Sequence, residues 1–151
     1  MNKKIILLVD DDYDDLEFFK WAMAGTEETF SLKFVDSGDA ALRLLSGLEQ
    51  LPDLILLDAG MPKMNGWELL KQIKMDHRFT KVPIIMMATS SRRQGIEQAK
   101  LLGAKAYIIK PSDFQELKSI MNQLCIGIQT NLDNTIASLR CNLPENIYNF
   151  N

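Results

Sequence analysis

Short runs of β-branched and aliphatic residues recur along the chain at Ile5–Val9, Leu32–Val35, Leu54–Leu57, Pro83–Met87 and Ala106–Ile109. Between them lie longer stretches in which apolar residues return every three or four positions, the spacing of an amphipathic helix. The pattern predicts five strands alternating with helices over Asp15–Gly25, Asp39–Leu48, Gly66–Lys74, Arg92–Leu102 and Asp113–Leu124. All the strand runs but Leu32–Val35 are nearly continuous in apolarity, as expected of parallel strands covered by helices on both faces. Ser37 to Asp39 and Asn65-Gly66 supply helix starts, and Leu102-Gly103-Ala104 resembles a helix stop.

Beyond Leu124 the pattern thins through Gly127-Ile128-Gln129, with a short helix expected around Leu132–Leu139 and Pro144-Glu145-Asn146 near the end. Neither a repeat nor a Gly/Ser- or Pro-rich linker divides the chain. Residues 1–125 therefore read as one domain and 126–151 as a short extension, partly packed or disordered. That extension is too small for an effector domain.

The 151 residues, 46% of them hydrophobic, suffice to bury a core without a metal or disulfide. Cys125 and Cys141 accordingly read as reduced thiols. The 17 Lys and Arg against 20 Asp and Glu give a net charge of −3, which argues against direct nucleic-acid binding through a basic surface. The first apolar run, Ile5 to Val9, is too short for a signal-peptide core or a membrane span. A cytoplasmic protein without membrane insertion is the expectation.

Functional groups of an open parallel sheet collect beyond the carboxyl ends of its strands. Here Asp10, Asp11 and Asp12 follow the first run, Asp58 the third, Thr89 and Ser90 the fourth, and Lys110 the fifth. Gathered carboxylates repel one another unless a cation compensates them, and an oxygen-rich site suits Mg²⁺. Asp58 is then placed to attack a phosphoryl group, with Mg²⁺ and the Lys110 ammonium offsetting charge on the transferred oxygens. Plainer roles exist for the same residues: an acidic turn opening a helix at Asp10 to Asp12, and an exposed Lys110-Pro111 loop. The chain lacks a Gly-rich nucleotide loop ending in Lys-Ser/Thr, so the donor is expected to be a phosphorylated protein or small phosphodonor.

Four segments, Ile6-Leu7-Leu8-Val9-Asp10-Asp11-Asp12, Asp53-Leu54-Ile55-Leu56-Leu57-Asp58, Met61-Pro62-Lys63-Met64-Asn65-Gly66 and Tyr107-Ile108-Ile109-Lys110-Pro111, together resemble a stand-alone response-regulator receiver domain of two-component signalling. The resemblance covers about residues 3–124. It implies a flavodoxin-like α/β fold, a five-stranded parallel sheet in the order 2-1-3-4-5 with flanking helices. It further implies Asp58 as phosphoacceptor and Asp10, Asp11, Asp58 and the Gly60 backbone carbonyl as Mg²⁺ ligands. Lys110 becomes the phosphoryl contact, and a cis bond before Pro111 shapes its turn. The implied partners are a histidine kinase or phosphotransfer protein, a downstream protein and a second copy of the chain as a homodimer.

One position departs from the family. A Ser or Thr is expected twenty-two positions before the lysine, where this chain has Ala88. Thr89 is a candidate substitute in contacting the phosphoryl group, although consecutive side chains on a strand point to opposite faces. Tyr107 matches the mobile aromatic of the switch, and Ala88 leaves room for it to pack permanently inward. Gly60 and Ser90 match the positions that tune phosphoryl lifetime, though a tight turn and a helix cap account for them equally well. Arg92 and Arg93 form a basic helix start on a face that family members use for partners. His77 reads as an exposed loop residue, the donor histidine being the partner's.

Three functions follow in order. The first is a phosphoacceptor signalling protein, with self-dephosphorylation as a secondary activity. The second is a phosphorylation-independent interaction module whose switch is degenerate because of Ala88. A metal-dependent phosphatase ranks last, because Asp58 is followed by Ala59 and not by a second acid.

Overall fold

Each of the five apolar runs is a strand in the computed structural model, which describes residues 2–90 and 92–150. Strands β1 (Lys4–Val9), β2 (Phe30–Val35), β3 (Leu54–Asp58), β4 (Ile84–Ala88) and β5 (Ala106–Ile109) pair in parallel in the order β2-β1-β3-β4-β5. The arrangement is the flavodoxin-like α/β fold. Every residue of β3 and β4 is buried, which explains why those runs show no polar alternation.

Helices α1 (Tyr13–Ala22), α2 (Gly38–Gly47), α3 (Gly66–Met75), α4 (Arg93–Leu101) and α5 (Phe114–Gln129) fill the connections, with a short 3-10 turn at His77–Phe79. The period of two along each strand divides the core. Ile6, Leu8, Leu54, Leu56, Ile85, Met87 and Ile108 pack on the α1 and α5 side. Leu7, Val9, Ile55, Leu57, Met86, Ala88 and Tyr107 pack on the side of α2, α3 and α4. Helix α1 begins at Tyr13, earlier than the apolar spacing predicts, because the Asp12 side chain accepts a hydrogen bond from the Asp14 N–H and caps it.

A sixth strand, beyond the pattern's reach, adds to the five expected parallel ones. β6 (Ile147–Asn149) runs antiparallel to β5, pairing Ile147 with Ile108, Tyr148 with Tyr107 and Asn149 with Ala106. Helix α5 continues past Leu124 to Gln129, and α6 (Leu132–Asn142) returns beside it, burying Ile136 and Leu139 in the α1/α5 core. This hairpin delivers the chain to the open edge of β5, whose unpaired backbone groups it satisfies. The Ile109 N–H donates to the Asn146 carbonyl at 2.8 Å, and Asn146 Nδ2 donates to the Ile109 carbonyl at 3.2 Å. Both cysteines are free thiols, Cys125 buried and Cys141 exposed. No helix among the described residues is long and apolar enough to cross a membrane.

Candidate functional site

Parallel pairing sets the ends of β1, β3, β4 and β5 side by side, and the polar residues after them meet there. Val9 lies opposite Leu57, Asp58 opposite Met87, and Ala88 opposite Ile109. Asp10 and Lys110 follow immediately. The Lys110 N–H donates to the Ala88 carbonyl at 2.7 Å, which holds the end of β5 against β4. The described chain contains no cis peptide bond, so the Lys110-Pro111 bond is trans, against the expectation drawn from the resemblance. Trans is the lower-energy form even before proline, and the Lys110–Ala88 bond anchors the turn without the cis form.

Lys110 Nζ donates to Asp10 Oδ2 at 2.9 Å, Asp15 Oδ2 at 2.8 Å and Asp58 Oδ1 at 3.2 Å. Its side chain is 15% exposed and that of Asp10 1%, so these charges are largely removed from water. Burial pushes the Asp10 carboxyl up to about 7, while Lys110 and the Asp12 N–H, which donates to Asp10 Oδ1 at 2.9 Å, act against it. Burial also raises Asp58, opposed by Lys110 and the Gly60 N–H. For Lys110, burial works against the ammonium, but the bond to Asp15 and the charges of Asp10 and Asp58 carry it above its ordinary range.

Asp10, Asp11 and Asp58 each offer a carboxylate oxygen, all within 4.8 Å of one another. Three hard oxygen donors, two of them held above the usual carboxylate range by burial, fit a divalent cation such as Mg²⁺. Asp12, by contrast, spends its side chain capping α1.

Beside Asp58 a crevice of about 330 Å³ opens toward α4, lined by Gly60, Trp67, Ala88, Thr89, Ser90, Arg92 and Tyr107 among others. Trp67 closes it on one side, its Nε1 donating to the Gly95 carbonyl at 2.9 Å. Ala88 ends β4, so strand alternation lapses after it, and the exposed Thr89 lines the same crevice. A Cβ added at Gly60 would meet nothing within 4 Å, so packing does not demand that glycine. At Gly66 the reverse holds. A Cβ there would come within 2.5 Å of the Asp58 carbonyl oxygen and 2.8 Å of Ala59 Cα. Tyr107 is 2% exposed, with its ring packed inward, and burial and the Asp58 charge both raise its hydroxyl.

The response regulator receiver domain family matches residues 6–122. The chain belongs to that family, the receiver class of two-component signalling. It is 32% identical over 124 residues to the probable methanogenesis regulatory protein FilR2 of Methanothrix harundinacea, covering 80% of each chain. It spans between 25% and 56% of the length of the next curated relatives it matches. Among solved structures, the phosphorylated cyanobacterial phytochrome response regulator RcpA superposes with a TM-score of 0.79 at 28% identity, over 85% of this chain and 96% of that one. The Mn²⁺-bound response regulator Rcp1 gives 0.72 at 25% identity, over 80% and 91%.

Nothing in the sequence singles out Asp15. Its position in the first turn of a helix, just after the acidic run, reads as an ordinary helix start. Only the placement of that turn over the end of β5 brings its carboxylate to Lys110.

Proposed function

We propose that Asp58 accepts a phosphoryl group from the phosphohistidine of a partner histidine kinase or phosphotransfer protein, and that altered protein contacts are the output. The observation that carries this reading is the convergence of Asp58, Asp10 and Asp11 within 4.8 Å, with Lys110 Nζ 3.2 Å from Asp58, at the mouth of an open crevice.

An Asp58 carboxylate oxygen forms the new bond to phosphorus as the donor's phosphorus–nitrogen bond breaks. The imidazole nitrogen keeps the electron pair and takes up a proton. Lys110 stays charged throughout and compensates the phosphoryl oxygens as a point charge. Mg²⁺ held by Asp10, Asp11, Asp58 and the Gly60 carbonyl would supply further charge compensation in this site. Gly60 and Ser90 leave space for water beside the acyl phosphate and set its lifetime. Thr89, which follows Ala88 and lines the same crevice, supplies the hydroxyl for the phosphoryl contact. Residues 1–125 form the receiver unit and 126–151 an extension to it. The setting is cytoplasmic, and the downstream partner is a protein, a second copy of the chain included.

A second reading has an observation in its favour: Ala88 presents no hydroxyl, and Tyr107 is already buried. In that reading the domain is an interaction module held in one output state. Residue-resolved spectra with and without a small acyl phosphate and Mg²⁺, on the wild type and Asp58→Asn, separate the two. Shifts spreading from Asp58 across the α4–β5 face support a phosphorylation switch. Labelling without spread supports the held module, and no labelling with several donors removes the phosphoacceptor role.

A further inference from the structure

An ammonium has three protons to donate, and Lys110 Nζ meets three carboxylates. Two of them, Asp10 and Asp58, belong to the cluster suited to a divalent cation. The third and shortest bond, at 2.8 Å, goes to Asp15 Oδ2. Asp15 comes from α1 and stands outside that cluster. A cation entering the cluster competes with the ammonium for the same oxygens and repels it at short range. The Asp15 bond is therefore the one of the three that the cation does not contest.

We propose that Asp15 is a positioning residue for phosphoryl transfer, holding Lys110 clear of the cation's ligands and beside the place where phosphoryl oxygens arrive. The proposal rests on the reading of Asp58 and its cluster given above. Asp15 is fixed for this task. It lies in the first turn of a helix capped by Asp12, and Leu16 and Phe19 next to it are buried in the core. The groove of about 250 Å³ between α1 and α5, lined by Phe18, Pro111 and Phe114, lies alongside Asp15 and Lys110. Side-chain exposures of 27% for Asp15 and 15% for Lys110 set this bond apart from a solvated surface pair. Without Asp15, Lys110 keeps only the contested oxygens of Asp10 and Asp58, and there the ammonium opposes the cation.

The test is a double-mutant cycle on the full chain, read by calorimetric titration with MgCl₂. The four proteins are wild type, Asp15→Asn, Lys110→Met and the double variant, with Asp15→Ser in both backgrounds if Asp15→Asn does not fold. The expected result is that Asp15→Asn weakens Mg²⁺ binding about tenfold in the wild type and less than about twofold when Lys110 is Met. An equal loss in both backgrounds means that the Asp15 charge acts on the cation directly, and overturns the proposal. So does no loss in the wild-type background. A wild type that binds no Mg²⁺ overturns the reading of the cluster itself, and this inference with it.

Discussion

The rings of Tyr107 and Tyr148 meet edge to face, centroids 6.5 Å apart and planes at 75°. Tyr107 sits on the last parallel strand, and Tyr148 on the antiparallel strand that the C-terminal hairpin adds beside it. The Arg140 guanidinium lies over the Tyr148 ring, 5.1 Å from its centroid. With the small Ala88 on the same face of the sheet and Tyr148 against it, Tyr107 is held inward. Replacing Tyr148 by Ala is expected to cost about 1–2 kcal/mol, read by urea unfolding, and to broaden the Tyr107 ring signals. Unchanged stability and unchanged ring signals would contradict this account of the extension.

Gly60 and Gly66 flank the loop that follows Asp58 and make opposite predictions. Gly66→Ala forces a Cβ against the Asp58 carbonyl and Met86 Cε, and is expected to destabilise the fold by about 1–3 kcal/mol and to reduce labelling of Asp58. Gly60→Ala fits in open space, with a stability change within about 0.5 kcal/mol. Its effect should appear in the lifetime of the phosphorylated form instead. Denaturation curves and a timed loss of label check both.

Burial raises both Asp10, to about 7, and Asp58, so the folded chain holds protons that the unfolded chain releases near the ordinary carboxylate range. Native protein binds more protons across the window from about pH 4 to 7, and metal-free stability therefore falls as pH rises through it. A divalent cation favours the charged carboxylates and reverses the trend. Thermal unfolding with a chelator should give a higher midpoint at pH 5.5 than at pH 8, and Mg²⁺ should raise the midpoint more at pH 8. A metal-free midpoint that rises with pH would contradict the electrostatics described here.

Ala88 lines the crevice with Asp58 and is 7% exposed. Ala88→Thr puts a hydroxyl at the end of β4, and a charge-assisted bond from it to the phosphoryl group would favour the phosphorylated state by about 1.5–3 kcal/mol. The expected outcome is a larger set of phosphorylation-induced shifts on α4 and β5 than in the wild type, while Thr89→Ala reduces whatever shifts the wild type shows. Full-size shifts of equal extent in all three proteins would show that neither hydroxyl matters.

The strand runs were legible because buried parallel strands must be apolar, and the polar residues at the carboxyl ends of β1, β3 and β5 because parallel pairing sets those ends side by side. Asp10, Asp58 and Lys110 follow from that rule alone. Other features depend on three-dimensional placement. The Asp15 carboxylate reaches Lys110 only because α1 starts above the end of β5, a relation that spans 95 positions and leaves no local pattern. Strand β6 is three residues long, too short for periodicity to show, and exists because α6 returns it to an open edge. The length of α5 was underread because Gly127 weakens the helical pattern. In the fold that glycine allows a close approach of α6, since a Cβ there would come within 2.7 Å of Thr135 Oγ1.

The most direct measurement of the central claim is the stoichiometry and site of labelling by a small acyl phosphate, followed by mass spectrometry of the intact chain and its peptides. The account predicts one Mg²⁺-dependent phosphoryl group per chain, located on Asp58 and absent from Asp58→Asn. Labelling that persists in Asp58→Asn at full extent, or that is indifferent to Mg²⁺, would contradict it.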